Sequence, residues 1–255
     1  MHQFLNIGNG IIISMFNLMI GIGAIFGFLY LEKQIKKNKI NFETDKNIYK
    51  SIIISSFGGL LGAKTFEMIY KQIEFTITNF LECGMTFYGG LITGSIIFFV
   101  INNRLKTNNV LAFNLLIPSI ILFHGFGRLG CFLAGCCYGR PTDIIFGVSY
   151  PKGSLPYQHF SFNKLHPTQL YEAAFLFILF LIIIIFVSFK KRTAFYLLSY
   201  SIFRFFIEFI RADYRGTLLT DSLSPSQIIS ILFLIIGSFL LLSQKTNIKQ
   251  HFLSK

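Results

Sequence analysis

Long apolar runs alternate with short polar segments along the whole chain. Each run has about 20 residues, the length at which an α-helix crosses the hydrocarbon core of a bilayer, which is roughly 30 Å thick. The pattern predicts seven membrane spans, over residues 10–31, 50–70, 85–102, 109–130, 168–189, 193–211 and 225–244. We therefore expect an all-α, polytopic membrane protein in which residues 1–255 form one integral-membrane domain.

Composition supports this class and argues against a soluble one. Hydrophobic residues make up 53% of the chain and charged residues only 13%, which is too apolar for a soluble domain of this length. The net charge of +12 would suit a protein that binds nucleic acid. The basic residues, however, lie in short loops between apolar runs, as membrane topology requires, so no nucleic-acid partner is expected.

The basic residues also predict the orientation of the chain. Most of the 23 lysines and arginines lie on one side of the predicted spans. That side carries Lys33, Lys36, Lys37, Lys39, Lys46, Lys50, Arg104, Lys106, Lys190, Lys191, Arg192, Lys245, Lys249 and Lys255. Because cytoplasmic loops carry the excess of Lys and Arg, we expect the amino terminus outside, the carboxyl terminus in the cytoplasm, and segment 131–167 facing outward.

A glycine-rich stretch joins the fourth predicted span to this outward segment. It reads HGFGRLGCFLAGCCYGRPTD from His124 to Asp143 and places Arg128 among glycines at the edge of the hydrocarbon. An arginine at that depth is costly unless it binds something, and its planar guanidinium can bond two phosphate oxygens at once. The stretch predicts a lipid-phosphate site at the membrane interface. The alternative is an arginine that snorkels from a glycine-rich loop.

The sixth predicted span carries charge in its apolar interior. Tyr200, Arg204, Glu208 and Arg211 recur at spacings of four, four and three residues, so they share one helical face. A charge near mid-span costs about 2.5–3.5 kcal/mol on insertion scales, and Glu208 offsets part of this by pairing with an arginine. Two arginines that share one glutamate leave a surplus positive charge, which predicts an anionic ligand inside the bundle.

Three further segments have a structural alternative beside a functional one. Lys64, Glu67 and Lys71 form a plus-minus-plus row on one helical face, which is consistent with a structural ion pair or with a site. The third span opens with YGGL at 88–91, whose paired glycines permit close approach of a helix or a ligand. The sequence HPTQLYE at 166–172 places a proline at the first helical position and Gln169 and Glu172 on one face at the outer surface, as a site or as an ordinary helix start.

The four cysteines, Cys83, Cys131, Cys136 and Cys137, do not form a disulfide framework by their number alone. The spacing C-x4-C-C lacks the paired C-x2-C pattern of zinc sites. We therefore expect small buried thiols and no metal.

Taken in order, these motifs resemble those of the prolipoprotein diacylglyceryl transferases, bacterial membrane enzymes that lipidate the cysteine of lipoprotein precursors. The resemblance covers nearly the whole chain. It rests on GGLLGAK at 58–64, YGGL at 88–91, GRLG at 127–130, GR at 139–140, the segment 147–151, HPTQLYE at 166–172, RFFIEFIR at 204–211 and Gln227. Departures also occur: the family has Asn, Asn and Glu at the positions of Cys131, Ala134 and Cys136, His at that of Tyr88, and usually Arg at that of Lys64.

The resemblance implies a donor, an acceptor and a set of roles. Phosphatidylglycerol would bind with its phosphate on Arg128 and Arg204, with Glu208 fixing Arg204 and Arg211 near the entrance. The lipobox cysteine of a prolipoprotein, beside its signal-peptide helix, would displace glycerol phosphate and form a thioether without metal or cofactor. The implied catalytic residues are Arg128, Arg204, Tyr88 and Glu208. The implied substrate-binding residues are Lys64, Gly89, Gly90, Arg128, Gly130, Gly139, His166, Gln169, Tyr171, Glu172 and Arg211.

The resemblance also implies a location, the bacterial cytoplasmic (inner) membrane, with the active site toward the outer leaflet. It leaves the proton acceptor open among Tyr88, His166 and the substrate phosphate. The altered signature is consistent with a transferase of the same fold that uses another acceptor. A non-catalytic lipid-binding membrane protein that has lost its base is a further alternative, against which Arg204 and Glu208 argue, since an apolar bundle would be less costly there. A transporter would require a polar pathway across both leaflets, whereas the polar residues here gather toward the outer half.

Overall fold

The computed structural model describes residues 4–6, 12–212 and 223–253, and these form a helical protein with a short hairpin near the amino terminus. Strands β1 (Phe4–Asn6) and β2 (Ile12–Ser14) pair antiparallel, with Leu5 opposite Ile13. The helices are α1 (Met15–Lys37), α2 (Phe42–Tyr70), α3 (Ile77–Glu82), α4 (Phe87–Arg104), α5 (Asn109–Ala134), α6 (Leu155–Phe160), α7 (Thr168–Ile185), α8 (Arg192–Ile207) and α9 (Pro225–Leu253). Single 3-10 turns at Phe189–Lys191 and Glu208–Ile210 flank α8.

Within the described residues, six helices are long and apolar enough to cross a membrane: α1, α2, α5, α7, α8 with its flanking turns, and α9. Helix α4 covers the remaining predicted span and has 18 residues. The prediction of an all-α, polytopic membrane protein is confirmed.

The first span begins later than the apolar run suggested. The run predicted a helix over 10–31, but Ile12–Ser14 is a strand and α1 begins only at Met15. Residues 10 and 11 lie outside the described residues. Ile12 and Ile13 are β-branched, and such side chains favour extended backbone. Hydrophobicity alone does not distinguish this strand from the first turn of a helix.

Two polar caps set other helix boundaries. Helix α2 starts at Phe42, before the predicted residue 50, because the Asn41 side chain accepts a hydrogen bond from the Thr44 N–H at 2.8 Å. The sequence SPSQ at 224–227 has the pattern of a capping box with proline at the first helical position, and it forms one at the start of α9. The Ser224 N–H donates to Gln227 Oε1 at 3.0 Å, and the Gln227 N–H donates to the Ser224 hydroxyl at 3.3 Å. Pro167 precedes α7 rather than occupying its first position.

The described chain folds into two compact units. The large unit comprises the described residues up to Lys33 and those from Asn114 onward, and the small unit comprises Gln34–Phe113. In the large unit, α5, α7 and α8 share an apolar core, and the Asn114 side chain ties α5 to the start of α8 through bonds to Thr193 and the Lys190 carbonyl. The core consists of Ile117, Ile121, Leu176, Leu179, Ile183 and Tyr200.

In the small unit, α2 and α4 pack closely along glycines. A Cβ atom built on Gly90 would lie 3.2 Å from the Gly59 carbonyl oxygen, and one on Gly89 would lie 2.8 Å from that of Gly62. Small residues permit this approach between membrane helices. The buried Ser51 hydroxyl also bonds Asn102 Oδ1 at 2.9 Å, which ties the two helices together.

Replacing Gly89 with alanine should therefore weaken the packing of α4 against α2. The new methyl group would clash with the backbone of α2, which cannot move away as a flexible side chain can. We therefore expect the free energy of unfolding to fall by about 1–3 kcal/mol, seen as a lower thermal midpoint in detergent. Gly21→Ala in α1 is the matched control, because its Cβ would meet nothing within 4 Å. An equal midpoint for both variants would contradict the close packing of α2 and α4.

Candidate active site

A buried ion pair joins α5 to α7. The Arg128 guanidinium (Nη2) lies 3.0 Å from Glu172 Oε1, and its Nε donates to His124 Nε2 at 3.2 Å. Arg128 is 8% exposed and Glu172 is fully buried. An arginine N–H can only donate, so His124 accepts this bond as a neutral imidazole. Burial of both charges is tolerable because each has a partner of opposite sign or a hydrogen bond.

Glu172 also connects this pair to α8. Its Oε1 accepts a hydrogen bond from the Tyr200 hydroxyl at 2.6 Å and lies 3.6 Å from His124 Nε2. Both Arg128 and Arg204 are near enough to interact with its charge. Gln169 and Glu172 do share a face of α7, as predicted, but both side chains are buried in the protein instead of lying at its surface.

The charged row of the sixth span is formed as its spacing predicts. Arg204 Nη1 lies 2.7 Å from Glu208 Oε2, and the same oxygen lies 3.8 Å from Arg211 Nε. The other terminal nitrogen of Arg204 donates to the Ser226 hydroxyl at 2.8 Å, which links α8 to the start of α9. Arg204 is 4% exposed and Arg211 is 5% exposed.

These pairs form one group, the arginine cluster, defined as Arg128, Glu172, Arg204, Glu208 and Arg211. Among these described residues, three buried guanidinium groups lie beside two carboxylates. The arrangement can hold a phosphate group, to which guanidinium groups bond in pairs of N–H···O contacts.

The loop after α5 is tied to the first turn of α7. Gln169 Nε2 donates to the Cys136 carbonyl at 2.5 Å, and the Thr168 hydroxyl donates to the Cys137 carbonyl at 2.6 Å. The same Gln169 nitrogen also lies 3.1 Å from the Tyr150 hydroxyl, which accepts a hydrogen bond from it. Burial raises the pKa of Tyr150 to about 12, so its hydroxyl stays protonated at neutral pH. Through its bond to the Cys136 carbonyl, Gln169 positions the loop.

The predicted glycines of the large unit lie at close contacts. A Cβ on Gly139 would lie 2.6 Å from His166 Cβ and 2.7 Å from the Ile210 carbonyl oxygen. Gly139 pairs with Arg211 in an isolated antiparallel bridge, which holds the segment after α8 against the loop. Gly130 packs against α1, with its virtual Cβ 3.2 Å from Met19 Cβ. These close contacts account for glycine at both positions.

His166 and Tyr171 lie together at the start of α7. His166 Nδ1 is 3.3 Å from the Tyr171 hydroxyl, and both side chains are partly exposed. Tyr171 also lines an apolar groove of about 480 Å³ between α7 and α8. The other residues that line this groove are Phe175, Ser199, Ile202, Phe203, Phe206, Ile207 and Ile210.

The remaining predicted residues belong to the small unit. Lys64 donates to the Phe80, Leu81 and Cys83 carbonyls at 2.8–3.2 Å, which stabilises the carboxyl end of α3. Glu67 pairs with Lys71 at 2.5 Å and not with Lys64, so the ion pair forms only between the second and third members of the row.

Gly89 and Gly90 lie in the seam of α2 and α4. The Tyr88 side chain is outside the described residues.

Sequence reasoning missed several contacts of the site. His124 lies one helical turn before Arg128, and this spacing was the available signal for their bond. Tyr200 was assigned to the charged face of α8, but its hydroxyl bonds Glu172 on another helix. Ser226 gave no signal beyond its place in the capping box. The sulfur atoms of Cys131, Cys136 and Cys137, which were interpreted as small buried thiols, lie within 4.8 Å of one another.

Comparison with known proteins extends across the chain. A family model described as prolipoprotein diacylglyceryl transferase matches residues 3–243. The chain is 33% identical over 239 residues to the phosphatidylglycerol–prolipoprotein diacylglyceryl transferase of Clostridium tetani, covering 90% of this chain and 92% of the relative. A second such transferase, from Clostridium perfringens, is 33% identical over 241 residues, with 91% of each chain covered. A Rickettsia bellii transferase of the same name is 29% identical, with 90% of each covered.

Proposed function

Because the chain belongs to the prolipoprotein diacylglyceryl transferase family, we propose that it moves the diacylglyceryl group of phosphatidylglycerol to the lipobox cysteine of prolipoproteins. The chain is a membrane transferase of lipoprotein biosynthesis.

The observation that carries the proposal is the grouping of three buried guanidinium groups, those of Arg128, Arg204 and Arg211, in the arginine cluster. The donor has one phosphodiester, whose anionic oxygens suit guanidinium donors. Arg128 and Arg204 bind the phosphate oxygens, while Glu172 and Glu208 hold these two guanidinium groups in place. Arg211 also lies beside Glu208, on the segment that pairs with Gly139. It contacts the same phosphate near the entrance of the lipid site.

The cluster acts on the bond that breaks. The acceptor thiolate attacks the glycerol carbon of the diacylglyceryl group, a carbon–sulfur bond forms, and the carbon–oxygen bond to phosphate breaks. Negative charge grows on the departing glycerol phosphate, where fixed guanidinium groups stabilise it in a site from which water is largely excluded. The stabilisation is electrostatic and uses no cofactor. The proton of the acceptor thiol is predicted to go to Tyr88, His166 or the donor phosphate.

The groove between α7 and α8 suits an acyl chain of the donor. Its lining is almost wholly apolar, and Ile207, which lines it, precedes Glu208 of the cluster. A lipid bound there keeps its tail in an apolar environment and its phosphate at the guanidinium groups. The polar ends of Tyr171 and Ser199 are the exceptions in the lining.

Reconstitution of the purified chain into phosphatidylcholine vesicles tests the reaction directly. With added phosphatidylglycerol and a lipobox peptide, we expect the peptide to gain the mass of one diacylglyceryl group and glycerol phosphate to appear in equal amount. A peptide with serine for the cysteine is the control. Release of glycerol phosphate without peptide lipidation would favour the transferase with another acceptor. Neither product, with well-folded protein, would overturn the proposal.

We also propose the cytoplasmic membrane as the location, with the amino terminus outside and the site toward the outer leaflet. The support is the distribution of lysine and arginine among the loops. Alkaline phosphatase fused after Lys152 should be active, because it would be exported, and the same enzyme fused after Lys190 should be inactive. The reverse pattern of activity would invert the orientation.

A further inference from the structure

Three thiols meet where α5 ends. The sulfur atoms of Cys131, Cys136 and Cys137 all lie within 4.8 Å of one another, and each side chain is partly buried. Metal–thiolate bonds are about 2.3 Å long, so three sulfurs around one ion lie about 4 Å apart. The sulfur atoms therefore need only small rotations to bind a single ion.

The backbone holds the thiols in this arrangement. Gly135 has φ of 71° and Cys137 has φ of 65°, and these two left-handed residues turn the chain back toward Cys131. Such a conformation is unfavourable for a residue with a Cβ and persists where the surroundings enforce it, often at ligand sites. The enforcing contacts are a bond from the Cys136 N–H to the Cys131 carbonyl at 3.1 Å and the bonds from Thr168 and Gln169 to the loop.

The charges around the cluster also suit a metal thiolate. Three thiolates and a divalent ion carry one net negative charge. Arg211 and Arg128 both lie within electrostatic range of Cys137, and positive charge nearby favours the binding of an anionic metal–thiolate group. Thiolate ligands select soft, closed-shell ions such as Zn²⁺ and Cu⁺ over hard ions such as Mg²⁺.

We propose that Cys131, Cys136 and Cys137 bind one thiophilic d¹⁰ cation, with Zn²⁺ as the first probe. Three protein ligands leave a fourth position open for a water or another small ligand. The C-x4-C-C spacing did not predict this site because the sulfur atoms come together through two left-handed residues. The bound ion fixes the loop that contacts Thr168 and Gln169. This site does not depend on the transferase activity.

Metal content tests the proposal on the purified full-length chain in detergent. The protein is reduced with a phosphine, incubated with Zn²⁺, desalted and analysed by inductively coupled plasma mass spectrometry. We expect one zinc per native chain and nearly none in Cys131→Ser or Cys137→Ser. Cys83→Ser is the matched control and should retain its zinc, because Cys83 lies in the small unit. Native protein without zinc, or serine variants that keep it, would overturn the proposal.

A second measurement needs no variant and remains decisive if the serine variants fail to fold. The native chain is treated with N-ethylmaleimide with and without Zn²⁺, and labelled cysteines are mapped by mass spectrometry. Zinc should protect Cys131, Cys136 and Cys137 while the labelling of Cys83 stays unchanged. Equal labelling with and without zinc would overturn the proposal. So would a disulfide within the cluster that persists after reduction and excludes zinc.

Discussion

Arg204→Ala should reduce diacylglyceryl transfer by at least about 10²–10³-fold, the usual cost of removing a group that stabilises charge in a transition state. Arg204 is 4% exposed and is held by Glu208 at 2.7 Å and by Ser226 at 2.8 Å. Its guanidinium is thus fixed before the donor binds. Arg204→Lys should recover little of the activity, because an ammonium cannot reproduce the planar fork. The measurement is kcat/KM in vesicles that contain phosphatidylglycerol.

A second arginine of the same helix provides the control. Arg192 begins α8, is 7% exposed and has its guanidinium 5.3 Å from the centre of the Phe189 ring. Arg192→Ala removes a buried arginine outside the arginine cluster, so it should lower the thermal midpoint and leave kcat/KM per folded molecule within a few-fold of native. Equal losses of kcat/KM in the two alanine variants would contradict a phosphate-binding role for Arg204.

Glu172→Gln should impair both folding and transfer. Its carboxylate lies 3.0 Å from Arg128 and accepts the Tyr200 hydroxyl bond at 2.6 Å. Glutamine keeps the shape but removes the charge, so Arg128 stays buried without its counter-ion, at a cost of about 3–5 kcal/mol. We expect a clearly lower thermal midpoint in detergent and little transfer activity.

A double variant separates the two effects. Arg128→Gln combined with Glu172→Gln removes both charges, so the thermal midpoint should recover relative to Glu172→Gln alone. Transfer activity should not recover, because the phosphate has lost one of its guanidinium partners. Recovery of both properties would mean that Arg128 serves only to neutralise Glu172.

Features encoded within one helix were predictable from the sequence. Arg204, Glu208 and Arg211 meet because residues three and four apart share a helical face, and the capping box of α9 follows the same local logic. The pairing of Arg128 with Glu172 was not predictable by this reasoning. It joins α5 to α7, and helical spacing carries no information about which faces of separate helices meet.

Other features depended on backbone geometry that hydrophobicity does not report. The first apolar run begins with a strand because its β-branched residues pair with Phe4–Asn6. The three thiols at the end of α5 meet because Gly135 and Cys137 adopt positive φ. Lys64 illustrates a third case. Its place in the row with Glu67 and Lys71 was consistent with a structural ion pair or with a site, but its ammonium group bonds the carbonyls at the end of α3.

The most direct test of the proposed transfer is precursor lipidation in a bacterium depleted of its own transferase. Cells would express the native chain, Arg128→Ala, Arg204→Ala or Arg192→Ala at matched levels, and the shift of a lipoprotein precursor on a gel would report thioether formation. The native chain and Arg192→Ala should lipidate the precursor, and the two cluster variants should not. A well-expressed native chain that leaves every precursor unmodified would contradict the account.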